Sequence, residues 1–340
     1  MSKSAQLPIF LFILGLFAAY SIYKPFLLPI IVAMLLSMAT SNVTRKVISY
    51  FNSRKIATTI MTLLMIILIL APIVYIATTG IQYATKLDMN SINTILLKAK
   101  ELLKDIPYLS KLSKEYLTID KVQPFVQEVS LYIGTLGSKG LGFIKDSLLV
   151  VIFYSFIAYN QDKITIFIKN ISTSGKFSRL RMVDEVSGTM EIVFYSIIVT
   201  AIFEGLLFGI FISFYGFNGL FLGFVYGFAS LIPVVGGLIV WLPVSLLAWS
   251  KIDSSAAITI VLYSIVVISI IADTFVKPFI IKVIKERLLK STTKIDEIII
   301  FFSILAGMGS YGFWGMILGP AITTFLIATT KAYIEYNRNI

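Results

Sequence analysis

Neither cysteine nor histidine occurs anywhere in the 340 residues. The first absence excludes disulfides, thiolate nucleophiles and thiolate metal sites. The second removes the commonest metal ligand and the side chain that most readily shuttles protons near neutral pH. Proton or cation chemistry therefore falls to carboxylates, lysines, hydroxyls and backbone carbonyls. Charge is scarce as well: 14% of the chain is charged, 57% is hydrophobic and the mean hydropathy is +0.90. A soluble domain is nearer half apolar and a quarter charged, so composition excludes one. The chain also lacks a phosphate-cradling glycine loop followed by Lys-Ser/Thr, a Gly-x-Ser-x-Gly elbow and any zinc motif. Neither an ATP-driven engine nor an enzyme is expected, and no cofactor is called for.

What is present is a series of long apolar runs separated by clumped charge. A helix rising ~1.5 Å per residue needs about 20 residues to cross the hydrocarbon of a bilayer. Spans read at 7–23, 26–39, 56–81, 141–159, 192–214, 219–249, 256–276 and 298–330. The first follows Lys3 and lacks a small-residue cleavage site, so it reads as a retained span, with a turn at Lys24-Pro25 leading into the second. The fold class expected is all-α: a polytopic transmembrane helical bundle with one or two broken or re-entrant hairpins. The organisation is N-terminal spans over 1–81, an extracytoplasmic amphipathic segment over 82–140 and a transport core over 141–340. In that middle segment Ile92, Ile95, Leu96, Ala99, Leu102 and Leu103 recur at helical spacing, and a second such stretch lies near 116–132.

Basic loops set the orientation. The loop 42–55 carries Arg45, Lys46, Arg54 and Lys55 without an acid, and reads as cytoplasmic. The N-terminus then lies inside, 82–140 outside, and the loop with Lys163, Lys169 and Lys176 inside again. The loop 277–294 is basic too and belongs inside with the C-terminus. These loops facing anionic lipid account for the net charge of +11 without nucleic acid. Parity then requires 219–249 to enter and leave on one face. The break is at Ile232-Pro233-Val234-Val235-Gly236-Gly237, and each arm reaches only ~20 Å against ~30 Å of hydrocarbon. The run 298–330 has its own break at Gly307 to Gly312. Such breaks are either buried kinks or cavity-lining backbone of the kind transporters use.

Ionisable groups in spans are costly and mark sites by default. Glu204 sits mid-span in Ala201-Ile202-Phe203-Glu204-Gly205, with no basic residue within a turn. It reads either as a reversible proton or cation site or as a protonated group bonded to a neighbouring helix. Glu191, at the helix end, reads as solvated. Asp273 and Lys277 fall at i and i+4 before Pro278, as an interfacial pair or a gate. Gly205 with Gly209, and Gly219, Gly223 and Gly227, have the spacing of close helix packing. Trp241, Trp249 and Trp314 read as lipid-facing or interfacial anchors.

The stretch Glu204 to Gly209, then Gly219 to Gly227, then Ser230 to Gly237, resembles the central signature of the autoinducer-2 exporter (AI-2E) family, or PerM-like permeases. Asp273-Thr274-Phe275-Val276-Lys277-Pro278 and Gly307 to Pro320 resemble its two later signatures, in the same order. One departure is Ile295-Asp296, where many members have a His-Pro pair. The resemblance implies a bacterial inner-membrane protein of about eight segments, homo-oligomeric. It implies export of a small polar signal or metabolite, with sodium or proton antiport as the alternative. The expected pathway comprises Glu204, Gly205, Pro233, Gly236, Gly237, Asp273, Lys277, Pro278, Gly307, Gly309 and Gly312. The partners expected are lipid and either a small polar solute or a cation and proton. A non-transporting scaffold is the third reading.

Overall fold

A computed structural model describes residues 3–84, 89–102, 142–164, 176–232, 235–276, 278–279 and 297–338, with isolated residues 104, 111, 124, 166 and 282. Among these no strand occurs, and six helical segments are long and apolar enough to cross a membrane. The surface confirms the class. Phe12, Phe17, Phe156, Leu206, Ile210 and Ile258 face outward, whereas Thr40, Thr44, Ser147, Thr200 and Ser264 are buried. Apolar outside and hydroxyl inside is the inverse of a soluble protein and suits lipid as solvent.

The two N-terminal spans read from the sequence are one helix, α1 (Lys3–Ala39), which carries Pro8, Pro25 and Pro29 inside it. Proline removes one N–H and crowds the carbonyl four residues back, but neighbouring turns in a membrane helix absorb this without a break. The stretch from Pro8 to Phe26 is largely exposed, and burial begins around Pro29. The amphipathic α2 (Ser41–Phe51) follows, and Asn52 at φ 48° reverses the chain. Ser53 then caps α3 (Arg54–Met65), accepting from the Ile56 amide. A π turn at Ile66–Leu70 links α3 to α4 (Ala71–Ala84). Pro72 lies just beyond it, and the widened turn relieves the clash of its ring with the carbonyl of Leu68.

Among the described residues two buried clusters form the interior, and one helix serves both. They are joined by α5 (Met89–Leu102), α6 (Gly142–Tyr159), α7 (Lys176–Ser213), α8 (Gly219–Ala229), α9 (Gly236–Lys251) and α10 (Ser254–Leu262), whose π-geometry continuation is Tyr263–Val276. The chain ends in α11 (Glu297–Tyr311), a 3-10 turn Gly312–Trp314 and α12 (Gly315–Arg338). In the first cluster Val32 and Leu36 of α1 meet Met61 and Met65 of α3, Val150 and Tyr154 of α6, Met190 and Phe194 of α7, and Leu318 of α12. In the second, Phe208 and Ile212 of α7 meet Tyr226 of α8, Val244 of α9 and Ile260 of α10.

Tertiary contacts agree with the expected grouping of loops. Arg54 pairs with Asp162, joining two segments read as cytoplasmic. Lys98 of α5 donates to the carbonyl of Trp249 at 2.5 Å, so the end of α9 lies with the segment read as external. The second amphipathic stretch near 116–132 lies outside the described residues. Residues 3–39 form one continuous helix rather than two spans, and a single crossing by it would set Lys3 on the face opposite Arg45. Single cysteines in this cysteine-free chain test the whole path with a membrane-impermeant thiol reagent. Ser4→Cys and Ser255→Cys are expected to label from the face opposite Ser49→Cys; labelling of Ser255→Cys on the Ser49 side would remove the re-entrant hairpin.

Candidate functional site

The centre of the molecule is the crossing of α7 with α8, and glycine makes it. A Cβ on Gly205 would lie 2.6 Å from the Gly223 carbonyl oxygen, and one on Gly209 would lie 2.6 Å from that of Gly219. Gly227 meets the Ala201 carbonyl in the same register. The two helices therefore run antiparallel with backbone against backbone, reversed through Gly216 at φ 77°, where a side chain would be strained. Asn218 caps α8 by accepting from the Phe221 amide at 3.0 Å.

Glu204 precedes Gly205, so the crossing fixes its position. It is 5% exposed and engaged within the protein. It lies on the stretch of α7 between the portion that enters the first cluster and the portion that enters the second. A carboxyl so placed is expensive to keep charged in low dielectric, and exchange of a proton or cation is the chemistry it can offer.

The first break is where the sequence put it: α8 ends at Ala229 and α9 begins at Gly236. Gly236 seats directly on the Ala229 carbonyl, and Gly237 lies beneath the Tyr226 hydroxyl, 2.6 Å from where its Cβ would be. The arms have 11 and 16 residues, or about 16 and 24 Å, too short for two full spans. Pro233 lies outside the described residues. The second break lies at the far end of the expected stretch, Gly307 to Gly312. Helix α11 runs through Gly307 and Gly309 to Tyr311, and the reversal is at Gly312, with φ 59°. Gly307 instead packs against Gly315 across the hairpin, and Gly319 packs against Ser303. Gly309 faces open space. The tips of the two hairpins meet, with the Phe228 and Phe313 rings stacked at 6.0 Å.

Asp273 lies in the π-geometry stretch, and its side chain and Lys277 fall outside the described residues; Pro278 is exposed. Among the described residues no group of three acidic side chains could hold a metal ion.

Two residues were misread from the sequence. Trp314 is no lipid anchor: it is 3% exposed and packs on Phe143 at 5.9 Å and Phe313 at 5.2 Å, because the Gly312 turn tucks it inward. Glu191 is not solvated but 3% exposed, next to Met190 of the first cluster. Its Oε2 accepts from Asn42 Nδ2 at 2.7 Å, and Asn42 Oδ1 accepts from Arg45 at 2.5 Å. Beside it the Thr40 and Tyr154 hydroxyls lie 2.9 Å apart, and Thr44 donates to the Thr40 carbonyl. A signal existed: Ser37, Thr40, Ser41 and Thr44 recur at three- and four-residue spacing, a hydroxyl stripe entering a charged loop.

A family model described as AI-2E family transporter matches residues 7–335. A Helicobacter pylori protein is 31% identical over 333 residues, covering 96% of this chain and 94% of its own. A second strain's protein is 30% identical over 336 residues with the same coverage. A Buchnera aphidicola protein is 22% identical over 333 residues, covering 92% and 86%. The names of all three assign them to transport provisionally and give no substrate.

The hairpin geometry separates two glycines only two residues apart. Gly307→Ala is expected to cost about 3 kcal/mol, since a methyl there meets backbone that cannot yield. Gly309→Ala is expected to stay within about 1 kcal/mol of the parent. Thermal unfolding of the purified protein in detergent reads the difference, and equal midpoints would refute the packing.

Proposed function

Because the chain belongs to the AI-2E family of transporters, we propose that it exports a small polar metabolite or signalling solute across a bacterial inner membrane. It works as a homo-oligomer with its C-terminus in the cytoplasm. The observation that carries this reading is the buried Glu204 beside a backbone crossing that leaves no room for a side chain. A charged or charge-forming group is retained in a span only where it has work to do.

In this reading the solute meets Glu204 and the polar main chain around the break between α8 and α9. The α8–α9 hairpin is the moving part. It is short, and the Phe228 ring near its tip stacks on Phe313 of the second hairpin. Gly236, Gly237 and Pro233 supply the hinge, and Gly205 the pivot on α7. Gly307, Gly309 and Gly312 shape the opposing hairpin. Asp273, Lys277 and Pro278 form the cytoplasmic gate at the far end of α10. Lacking an ATP-binding loop, the protein draws on an existing gradient or conducts passively.

Flux in proteoliposomes tests the proposal. Uptake of small neutral polyols and of sodium is compared for the parent and Glu204→Gln. Polyol flux reduced about tenfold by the substitution, with no sodium-driven pH change in either protein, is expected; a tenfold loss corresponds to ~1.4 kcal/mol at the limiting step. A sodium-driven pH change abolished by Glu204→Gln would replace export by cation/proton exchange. No flux of either kind would remove transport through this site.

A further inference from the structure

Glu191 is the second acid on α7, and the transport reading above does not use it. Oε2 of its carboxyl has a donor in Asn42, but Oε1 is buried without a hydrogen-bond partner. A buried carboxylate oxygen left without a donor is costly, and the cost is removed when a proton occupies it. The surroundings connect the other oxygen, Oε2, to the surface. Asn42 is half-buried, and Arg45, which donates to it, is exposed on α2. A relay of guanidinium, amide and carboxyl thus runs from the surface into the first cluster.

From these observations we propose that Glu191 is a proton-binding site: a carboxyl at the α1–α2 junction that takes and releases a proton on Oε1 while the Asn42–Arg45 chain holds its other oxygen, Oε2. On binding, an oxygen lone pair forms the O–H bond, and the neutral acid no longer draws on the Asn42–Arg45 relay. On release the proton passes to water and the relay again faces an anion. From α2 the charges are Arg45 and Lys46, both cationic, which oppose any cation and favour the ionised carboxyl, so the missing donor at Oε1 has to outweigh them. From α6 and α7 the titratable groups are Tyr154 and Tyr195. The part of α12 spanning residues 315–330 carries no charged residue. Ser187, one turn away on α7, donates to the Met38 carbonyl and so pins the helix to the end of α1.

Infrared difference spectroscopy of the purified full-length protein tests this without reference to any transported solute, so its failure and that of the transport reading are distinguishable. A protonated-carboxyl band is expected to grow reversibly as the pH is lowered. Glu191→Gln should abolish it and Glu204→Gln should keep it. Asn42→Ala, which leaves the carboxyl in place, should move its midpoint up by about one pH unit, through loss of a donor to the ionised form. This variant keeps the proposal open to refutation should Glu191→Gln fail to fold. A band that survives in Glu191→Gln, or a midpoint indifferent to Asn42→Ala, would overturn the assignment.

Discussion

Everything in the transport core leans on the contact of α7 with α8, where two backbones meet with no side chain between them. Within lipid there is no hydrophobic gain in bringing two apolar helices together, because the tails are as apolar as leucine. What remains is dispersion at close range, and that grows only when the axes approach far enough for main chains to touch. Gly205, Gly209, Gly219, Gly223 and Gly227 allow it. The consequence reaches beyond α8. Helix α7 also enters the first cluster through Met190 and Phe194, so among the described residues it is the helix that joins both interiors. The placement of Glu204 follows from that contact, since its neighbour Gly205 is locked to Gly223.

Much of this architecture is legible in the sequence because lipid makes few demands and makes them strictly. Apolar runs gave the helices, and basic loops grouped their ends; the pairing of Arg54 with Asp162 and of Lys98 with the Trp249 carbonyl follows that grouping. Parity called for a hairpin at 219–249, and α8 and α9 form one. The failures share a cause: the same residue type serves two purposes. Pro25 and Pro29 looked like a turn, yet α1 passes through both. Gly307 and Gly312 looked like one break, yet the first packs and only the second has the positive φ that reverses the chain. Sequence shows that a glycine is present, not which of its two freedoms is in use.

The site was legible in proportion to its isolation. Glu204 stands alone in an apolar run and announces itself. Glu191 sits where a span gives way to a charged loop, so it resembles any solvated helix end. Its burial depends on Asn42, 149 residues away in sequence, and on a helix end that no local pattern reveals. Trp314 is the same case in apolar form: an indole near a presumed interface is read as an anchor until the Gly312 turn is seen to fold it inward.

The two acids on α7 raise the question of how they communicate. They are thirteen residues apart on an unbroken helix, a separation of about 20 Å. At an effective dielectric constant near 20, two unit charges that far apart interact by only about 0.8 kcal/mol. Direct electrostatics is therefore too weak to make one carboxyl govern the other. The rod between them is not weak in this sense. Its upper half is fixed by backbone contact with α8, and its lower half is tied through Ser187 and Glu191 to the junction of α1 and α2. A change at either end that alters these attachments acts on α7 as a body, and the hairpin α8–α9 rides on its glycine face. Coupling between the ends, where it exists, has to be carried by the position of the helix and not by the field of its charges.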